Sequence, residues 1–143
     1  MQADFNQEDQ GLHEECGVFG VYSQDGALDP AYSCYNALLA IQHRGQESCG
    51  IAVNNNGLIS YHKDMGLVSE VFRPRMLESL KGQIGIGHVR YSNEKDNVRE
   101  NAQPLMMRYV KGALALSYNG TLTNAHELKH ELQRRGSIFQ TTM

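Results

Sequence analysis

Apolar positions in this chain fall into short, regularly spaced runs that begin only after a polar stretch of fifteen residues. From Gly17 to Tyr22, small and apolar residues of high β-propensity lead into the turn-forming Gln24-Asp25-Gly26, which predicts a buried strand. Asp29-Pro30 then supplies an N-cap followed by proline at the first helical position, and Tyr35, Leu38, Leu39 and Gln42 hold a helical period up to Gly45. Cys49 to Val53 and Leu58 to His62 flank Asn54-Asn55-Asn56-Gly57, a hairpin whose Asn-Gly pair tolerates positive φ. Val68 to Leu80 reads as one or two short helices interrupted at Pro74, and Gln83 to Tyr91 as another strand. In that strand Gly85 and Gly87 give little to pack, but they let another backbone come close.

Asn93 to Asn101 is a charged loop by composition, and Leu105 to Val110 with Ala113 to Tyr118 form a second hairpin around Lys111-Gly112. Asn124 is placed to cap a helix from Ala125 to Arg135, closed by Gly136. Ser137 to Met143 is β-prone and stops early, so the domain is expected to be a fragment, incomplete at its C-terminus. About six strands, mostly joined as hairpins, with a helix after the first and another after the last, predict an α+β fold: an antiparallel sheet with helices on its face.

Composition narrows the function. A chain of 143 residues fits one domain, and 41% hydrophobic with 20% charged residues argues against disorder. A net charge of minus three and the lack of a basic stripe argue against nucleic acid and leave a small-molecule ligand as the better fit. No run approaches the roughly eighteen apolar residues of a membrane span. Cys16, Cys34 and Cys49 are too far apart for a Cys-x-x-Cys metal pair and odd in number, which suits a reducing cytoplasm. Residues 1–15 lack an apolar stretch and carry Asp4, Glu8, Asp9, Glu14 and Glu15, so they read as a propeptide or tail, not a secretory signal.

Candidate chemistry gathers at element ends. If residues 1–15 are cut off, Cys16 becomes the N-terminus, and its thiol and free α-amine form a complete pair of nucleophile and base. The alternative is a small buried hydrophobe at the start of a strand. Gln42 to Ser48 holds several ligand-binding side chains, or else is a hydrated helix exit where Arg44 suits the C-terminus. Arg90, after a strand, has the planar fork that fits a carboxylate, or makes a surface ion pair. His88 reads as a satisfied core histidine in preference to a catalytic one. Tyr118-Asn119-Gly120-Thr121 is either a plain turn or an oxyanion hole, in which an amide and an N–H stabilise a tetrahedral intermediate of acyl transfer.

Six ordered blocks carry a family resemblance: Glu-Glu-Cys-Gly-Val-Phe-Gly at 14–20, Gln-His-Arg-Gly-Gln-Glu-Ser at 42–48, Gly-His-Val-Arg-Tyr-Ser at 87–92, Asn-Ala-Gln-Pro at 101–104, Tyr-Asn-Gly-Thr-Leu at 118–122 and Gly-Ser-Ile-Phe-Gln-Thr-Thr at 136–142. From about Leu12 onward the chain resembles the glutamine amidotransferases with an N-terminal cysteine nucleophile, and among them most closely the amidophosphoribosyltransferase family. The relatives that make glucosamine 6-phosphate carry Tyr-Arg-Gly-Tyr where this chain has His43-Arg44-Gly45-Gln46.

The resemblance implies the four-layer α/β/β/α sandwich of Ntn hydrolases, with residues 1–15 as propeptide and 16–143 as a truncated type 2 glutamine amidotransferase domain. It implies that Cys16 attacks the glutamine amide with its α-amine as base, Arg90 holds the substrate carboxylate, Asn119 and Gly120 form the oxyanion hole, and Arg44 shapes the site. Asn93 stands where the family has a carboxylate-binding threonine, and Tyr118 where it has a histidine. The aspartate that anchors the substrate amine is expected just after Met143. Ammonia would pass to a second domain that converts phosphoribosyl pyrophosphate to phosphoribosylamine, the first step of de novo purine synthesis, in a homo-oligomer. Mg²⁺ and, in some members, an iron–sulfur cluster are expected with that domain, and no cofactor in this segment. Two other readings stand beside this one: an amino-acid-binding module or remnant without turnover, and thiol redox chemistry, which lacks a nearby resolving cysteine.

Overall fold

The first helix is set by its cap. In the computed structural model, which describes residues 15–91, 98–120, 122–139 and 141, strand β1 (Gly17–Tyr22) is followed by helix α1 (Pro30–Ala40). The Asp29 carboxylate accepts the N–H groups of Ala31 at 3.0 Å and Tyr32 at 3.2 Å, satisfying donors that the helix cannot pair internally. The helix is shorter than its sequence period suggests. After Ala40 the i→i+3 bonds Arg44 N to Ile41 O and Gly45 N to Gln42 O tighten the chain into a 3₁₀ turn at Gln42–Arg44.

Strands β2 (Ser48–Asn55) and β3 (Leu58–Met65) form the predicted hairpin, with Asn56 and Gly57 at φ +50° and +92°. Two short helices follow, α2 (Val68–Val71) and α3 (Pro74–Ser79), then β4 (Ile84–Arg90). These strands make one antiparallel sheet in the order β1-β4-β2-β3. A second hairpin, β5 (Leu105–Tyr109) and β6 (Gly112–Leu116), forms a separate two-stranded sheet. Its turn is Val110-Lys111, and Gly112, at φ +126°, already belongs to β6.

Alternation along the strands divides the larger sheet into two faces. On one, Cys49, Ile51, Val53 and Val89 pack with Ala31, Cys34 and Leu38 of α1 and with Val68, Phe72, Leu77 and Leu80. Gly85 and Gly87 permit this: a Cβ at Gly85 would lie 3.0 Å from the Pro30 carbonyl oxygen, and one at Gly87 3.0 Å from a Leu38 methyl. The close approach expected at these glycines is therefore made by α1. Leu38, fully buried, is the largest side chain at that contact, and Leu38→Ala is expected to cost about 2–5 kcal/mol in urea-induced unfolding.

The opposite face carries His88 and Gly50, paired across β4 and β2. It is covered by the buried segment 101–104, with a Cβ at Gly50 falling 2.3 Å from the Gln103 carbonyl oxygen. Helix α1 thus lies on one face of the antiparallel sheet and segment 101–104, which leads into the second hairpin, on the other. Helix α4 (Ala125–Arg134) supplies the remaining helical element and buries none of its residues.

Two local expectations are corrected. Asn124 precedes α4 but makes no side-chain cap, because its φ of −114° and ψ of 26° are not the extended geometry a cap needs. The end of α4 is a Schellman closure: Gly136, at φ +91°, donates to Gln133 O and Ser137 to Leu132 O. Those bonds turn the chain away from extended pairing, and residues 137–139 form no strand. Of the predicted loop at 93–101, residues 93–97 lie outside the described residues, and Arg99–Asn101 is a 3₁₀ turn. Among the described residues, no helix is long and apolar enough to cross a membrane.

Candidate active site

Cys16 is partly exposed at the entrance to β1, whereas Cys34 and Cys49 are buried. Its thiol donates to the Tyr91 carbonyl and its sulfur receives the Tyr91 N–H, each at 3.4 Å. Burial pushes the Cys34 and Cys49 thiols up to about 12, the latter also through Asp64 and Glu70, so neither supplies thiolate near neutral pH. Cys16 adopts φ +56°, a left-handed conformation that costs a side-chain-bearing residue on the order of 1–3 kcal/mol. The reading of Cys16 as merely a buried hydrophobe does not describe this position.

Two other sequence-selected residues converge on Cys16. The Arg44 guanidinium donates through Nε to the Cys16 carbonyl at 2.8 Å, and the Asn119 amide reaches the same oxygen at 3.5 Å. The 3₁₀ turn brings the first from beyond α1, and the loop after β6 brings the second. Gln42, in the same block as Arg44, serves the fold: its amide nitrogen donates to Gly45 O at 2.5 Å and its oxygen accepts the Val68 N–H at 2.8 Å. Gly120 sits at φ +156°, a region nearly confined to glycine, and a Cβ there would stand 2.8 Å from the Tyr118 hydroxyl.

Arg90 ends β4 immediately before Tyr91 and is only 7% exposed, so it is not the surface ion pair that was one alternative. Asn93 lies outside the described residues. His88 is fully buried and its Nε2 donates to the Tyr118 carbonyl at 3.2 Å, so it is a core histidine, but only this one ring nitrogen is bonded. Sequence reasoning gave Gln103 no role, although Asn-Ala-Gln-Pro was one of the six blocks. It is 4% exposed, and its side-chain oxygen accepts the Tyr118 N–H at 2.6 Å.

Burial, opposed by the Tyr118 bond and reinforced by the nearby Arg90 charge, pushes the His88 imidazole from 6.5 down to about 4. The unfolded chain therefore takes up a proton below about pH 6.5 that the folded chain refuses until about pH 4. Stability from this group is complete above pH 6.5 and declines as pH falls toward 4. At pH 5 the loss is roughly 2 kcal/mol. Urea unfolding of the chain and of His88→Gln at pH 7 and pH 5 should show this component only in the former.

A cavity of about 510 Å³ lined by Tyr61, His62, Lys63, Arg99 and Glu100 includes none of these residues. Its cations are committed: Lys63 donates to the Ala102 carbonyl, and Arg99 pairs with Asp64 at 3.1 Å. Among the described residues, no three His, Cys, Asp or Glu side chains converge to hold a metal ion.

A partly exposed cysteine at the head of an antiparallel strand thus stands with an arginine and an asparagine on its carbonyl, the asparagine followed by a glycine at positive φ. The family model described as a glutamine amidotransferase domain matches residues 88–143. The chain is 46% identical over 131 residues to amidophosphoribosyltransferase of Methanothermobacter thermautotrophicus, covering 92% of this chain and 28% of that protein. To amidophosphoribosyltransferase of Lacticaseibacillus casei it is 45% identical over 136 residues, covering 94% of this chain and 69% of that sequence. The solved structure of glutamine phosphoribosylpyrophosphate amidotransferase from Bacillus subtilis, complexed with ADP and GMP, superimposes with a TM-score of 0.77 at 42% identity, covering 88% of this chain and 26% of that one. The chain belongs to the amidophosphoribosyltransferase family, and it spans little more than a quarter of the length of most of these relatives.

Proposed function

We propose that removal of residues 1–15 frees the Cys16 α-amine to take the thiol proton, so that Cys16 attacks the side-chain amide of glutamine. The tetrahedral intermediate collapses to a glutamyl thioester and ammonia, and water then releases glutamate and regenerates the thiol. Arg90 receives the glutamine α-carboxylate, with Asn93 contributing its amide. Asn119 and Gly120 donate to the oxyanion, and Arg44 holds the Cys16 carbonyl so that the sulfur faces the substrate. The observation that carries this reading is the convergence of Arg44 and Asn119 on the one partly exposed cysteine among the described residues.

The family relationship extends the proposal to a longer protein working in the cytoplasm. There, ammonia displaces pyrophosphate from phosphoribosyl pyrophosphate to give phosphoribosylamine, in an oligomer whose other domain would hold Mg²⁺ and any iron–sulfur cluster. No step of glutamine hydrolysis is assigned to a metal.

Calorimetry with glutamine tests the reading in the chain freed of residues 1–15. Cys16→Ala is expected to bind glutamine and release no ammonia. Arg90→Ala is expected to weaken binding by roughly 10- to 100-fold, the loss of a charge-assisted carboxylate contact. If the unaltered chain binds glutamine without turnover, it is a binding module instead. If Arg90→Ala binds normally, the carboxylate clamp is misassigned.

A further inference from the structure

We propose that His88 and Gln103 are positioning residues that clamp the backbone of Tyr118 and thereby fix Asn119 beside Cys16. This deepens the functional reading and rests on its assignment of Asn119 as an oxyanion donor. The two side chains come from different parts of the fold, β4 and the segment over the sheet, and take both polar backbone groups of one residue. Gln103 Oε1 accepts the Tyr118 N–H at 2.6 Å, and His88 Nε2 lies 3.2 Å from the Tyr118 carbonyl oxygen. A carbonyl can only accept, so His88 carries its proton on Nε2.

Both groups are withdrawn from water, His88 completely and Gln103 to 4% exposure. Buried polar side chains are costly unless bonded, and each of these is bonded to the residue just before Asn119. His88 Nδ1 has no hydrogen-bond partner among the described residues, so holding the Tyr118 carbonyl leaves the other ring nitrogen unsatisfied. The sheet is shaped for the same contact. Gly50, paired with His88, has no Cβ, and one would stand 2.3 Å from the Gln103 carbonyl oxygen and 3.0 Å from Pro104 Cδ. The next side chain after the clamped peptide is the Asn119 amide, 3.5 Å from the Cys16 carbonyl. Rotation of the Tyr118 peptide would carry that amide away from the nucleophile, so the clamp acts on the transition state through Asn119 and leaves the carboxylate contact at Arg90 alone.

Amide exchange at Tyr118 in the whole chain and glutamine turnover after cleavage of residues 1–15 test the clamp together. Gln103→Met should expose the Tyr118 N–H, with exchange roughly tenfold faster or more. It should also lower kcat by about 30-fold or more while KM stays within about threefold, the signature of a contact made in the transition state. Alkylation of Cys16 by iodoacetamide should be unchanged. Gln103→Glu keeps an acceptor at the same reach and should recover both protection and most of kcat. Unchanged kcat in Gln103→Met, a loss confined to KM, or equal losses in Gln103→Met and Gln103→Glu overturns the proposal. If Gln103→Met does not fold, the ¹⁵N spectrum of His88 in the unaltered chain decides: a proton on Nε2 at pH 7 supports the clamp, and one on Nδ1 overturns it. An unaltered processed chain that releases no ammonia overturns the functional reading and with it the clamp's part in catalysis, whereas normal turnover with unprotected Tyr118 overturns the clamp alone.

Discussion

Cys16→Ala in the processed chain is expected to abolish ammonia release from glutamine, a loss of about 10⁴-fold or more in kcat, because no other group offers both a nucleophilic sulfur and an adjacent amine. Stability should change by less than about 1 kcal/mol, since Cys16 is partly exposed and outside the packed core. Cys34→Ala and Cys49→Ala should behave in the opposite way. Their sulfurs are fully buried between α1 and the sheet, so alanine there is expected to lower stability by about 1–2 kcal/mol and leave turnover intact. A coupled ammonia assay and urea unfolding of the three variants check the contrast. Activity retained in Cys16→Ala would remove the basis for the proposed chemistry.

The second large effect is at Asn119. Asn119→Ala is expected to lower kcat by about 10²–10³-fold, or roughly 3–4 kcal/mol of barrier, the cost of one preorganised oxyanion donor. KM should move little, because the amide contributes when charge develops on the carbonyl oxygen, not when glutamine first binds. In the structure this amide sits at 3.5 Å from the Cys16 carbonyl, a long contact beside the 2.8 Å bond from Arg44. It can therefore turn to a substrate oxygen while Arg44 continues to hold the Cys16 backbone. Steady-state kinetics over a glutamine series separate the two parameters. A rise in KM with unchanged kcat would place Asn119 in ground-state binding instead.

Much of the scaffold was legible because local rules agreed with the tertiary fold. Asp29-Pro30 announces α1 by chemistry that operates within one turn, and Asn56-Gly57 announces its hairpin by a φ that few residues adopt. The α4 cap was misjudged because asparagine before a helix is permitted, not compelled, to bond the first turn. Residues 137–139 form no strand despite their β-propensity, because the Schellman bonds at the end of α4 turn the chain there.

At the site, Cys16, Arg44, Arg90, Asn119 and Gly120 could each be suspected from residue type and spacing, but their meeting depends on long-range pairing. Only the register of β1 on β4 sets Cys16 beside Tyr91, and only the turn after α1 returns Arg44 to the same strand end. Gln103 was opaque for a related reason. Its side chain bonds a backbone N–H fifteen residues away, and backbone donors leave no mark in a sequence. The burial of Arg90, only 7% exposed, was likewise unreadable, because exposure at a strand end is set by tertiary packing and not by local sequence.

The most direct measurement is the intact mass of the chain, with and without residues 1–15, after incubation with a glutamine analogue carrying an electrophilic diazoketone in place of the carboxamide. A latent nucleophile activated by its own α-amine predicts one adduct, mapped to Cys16, on the processed chain, with little or none on the chain that retains the leader and none on Cys34 or Cys49. Equal labelling of both forms, or no labelling of the processed form, would contradict it.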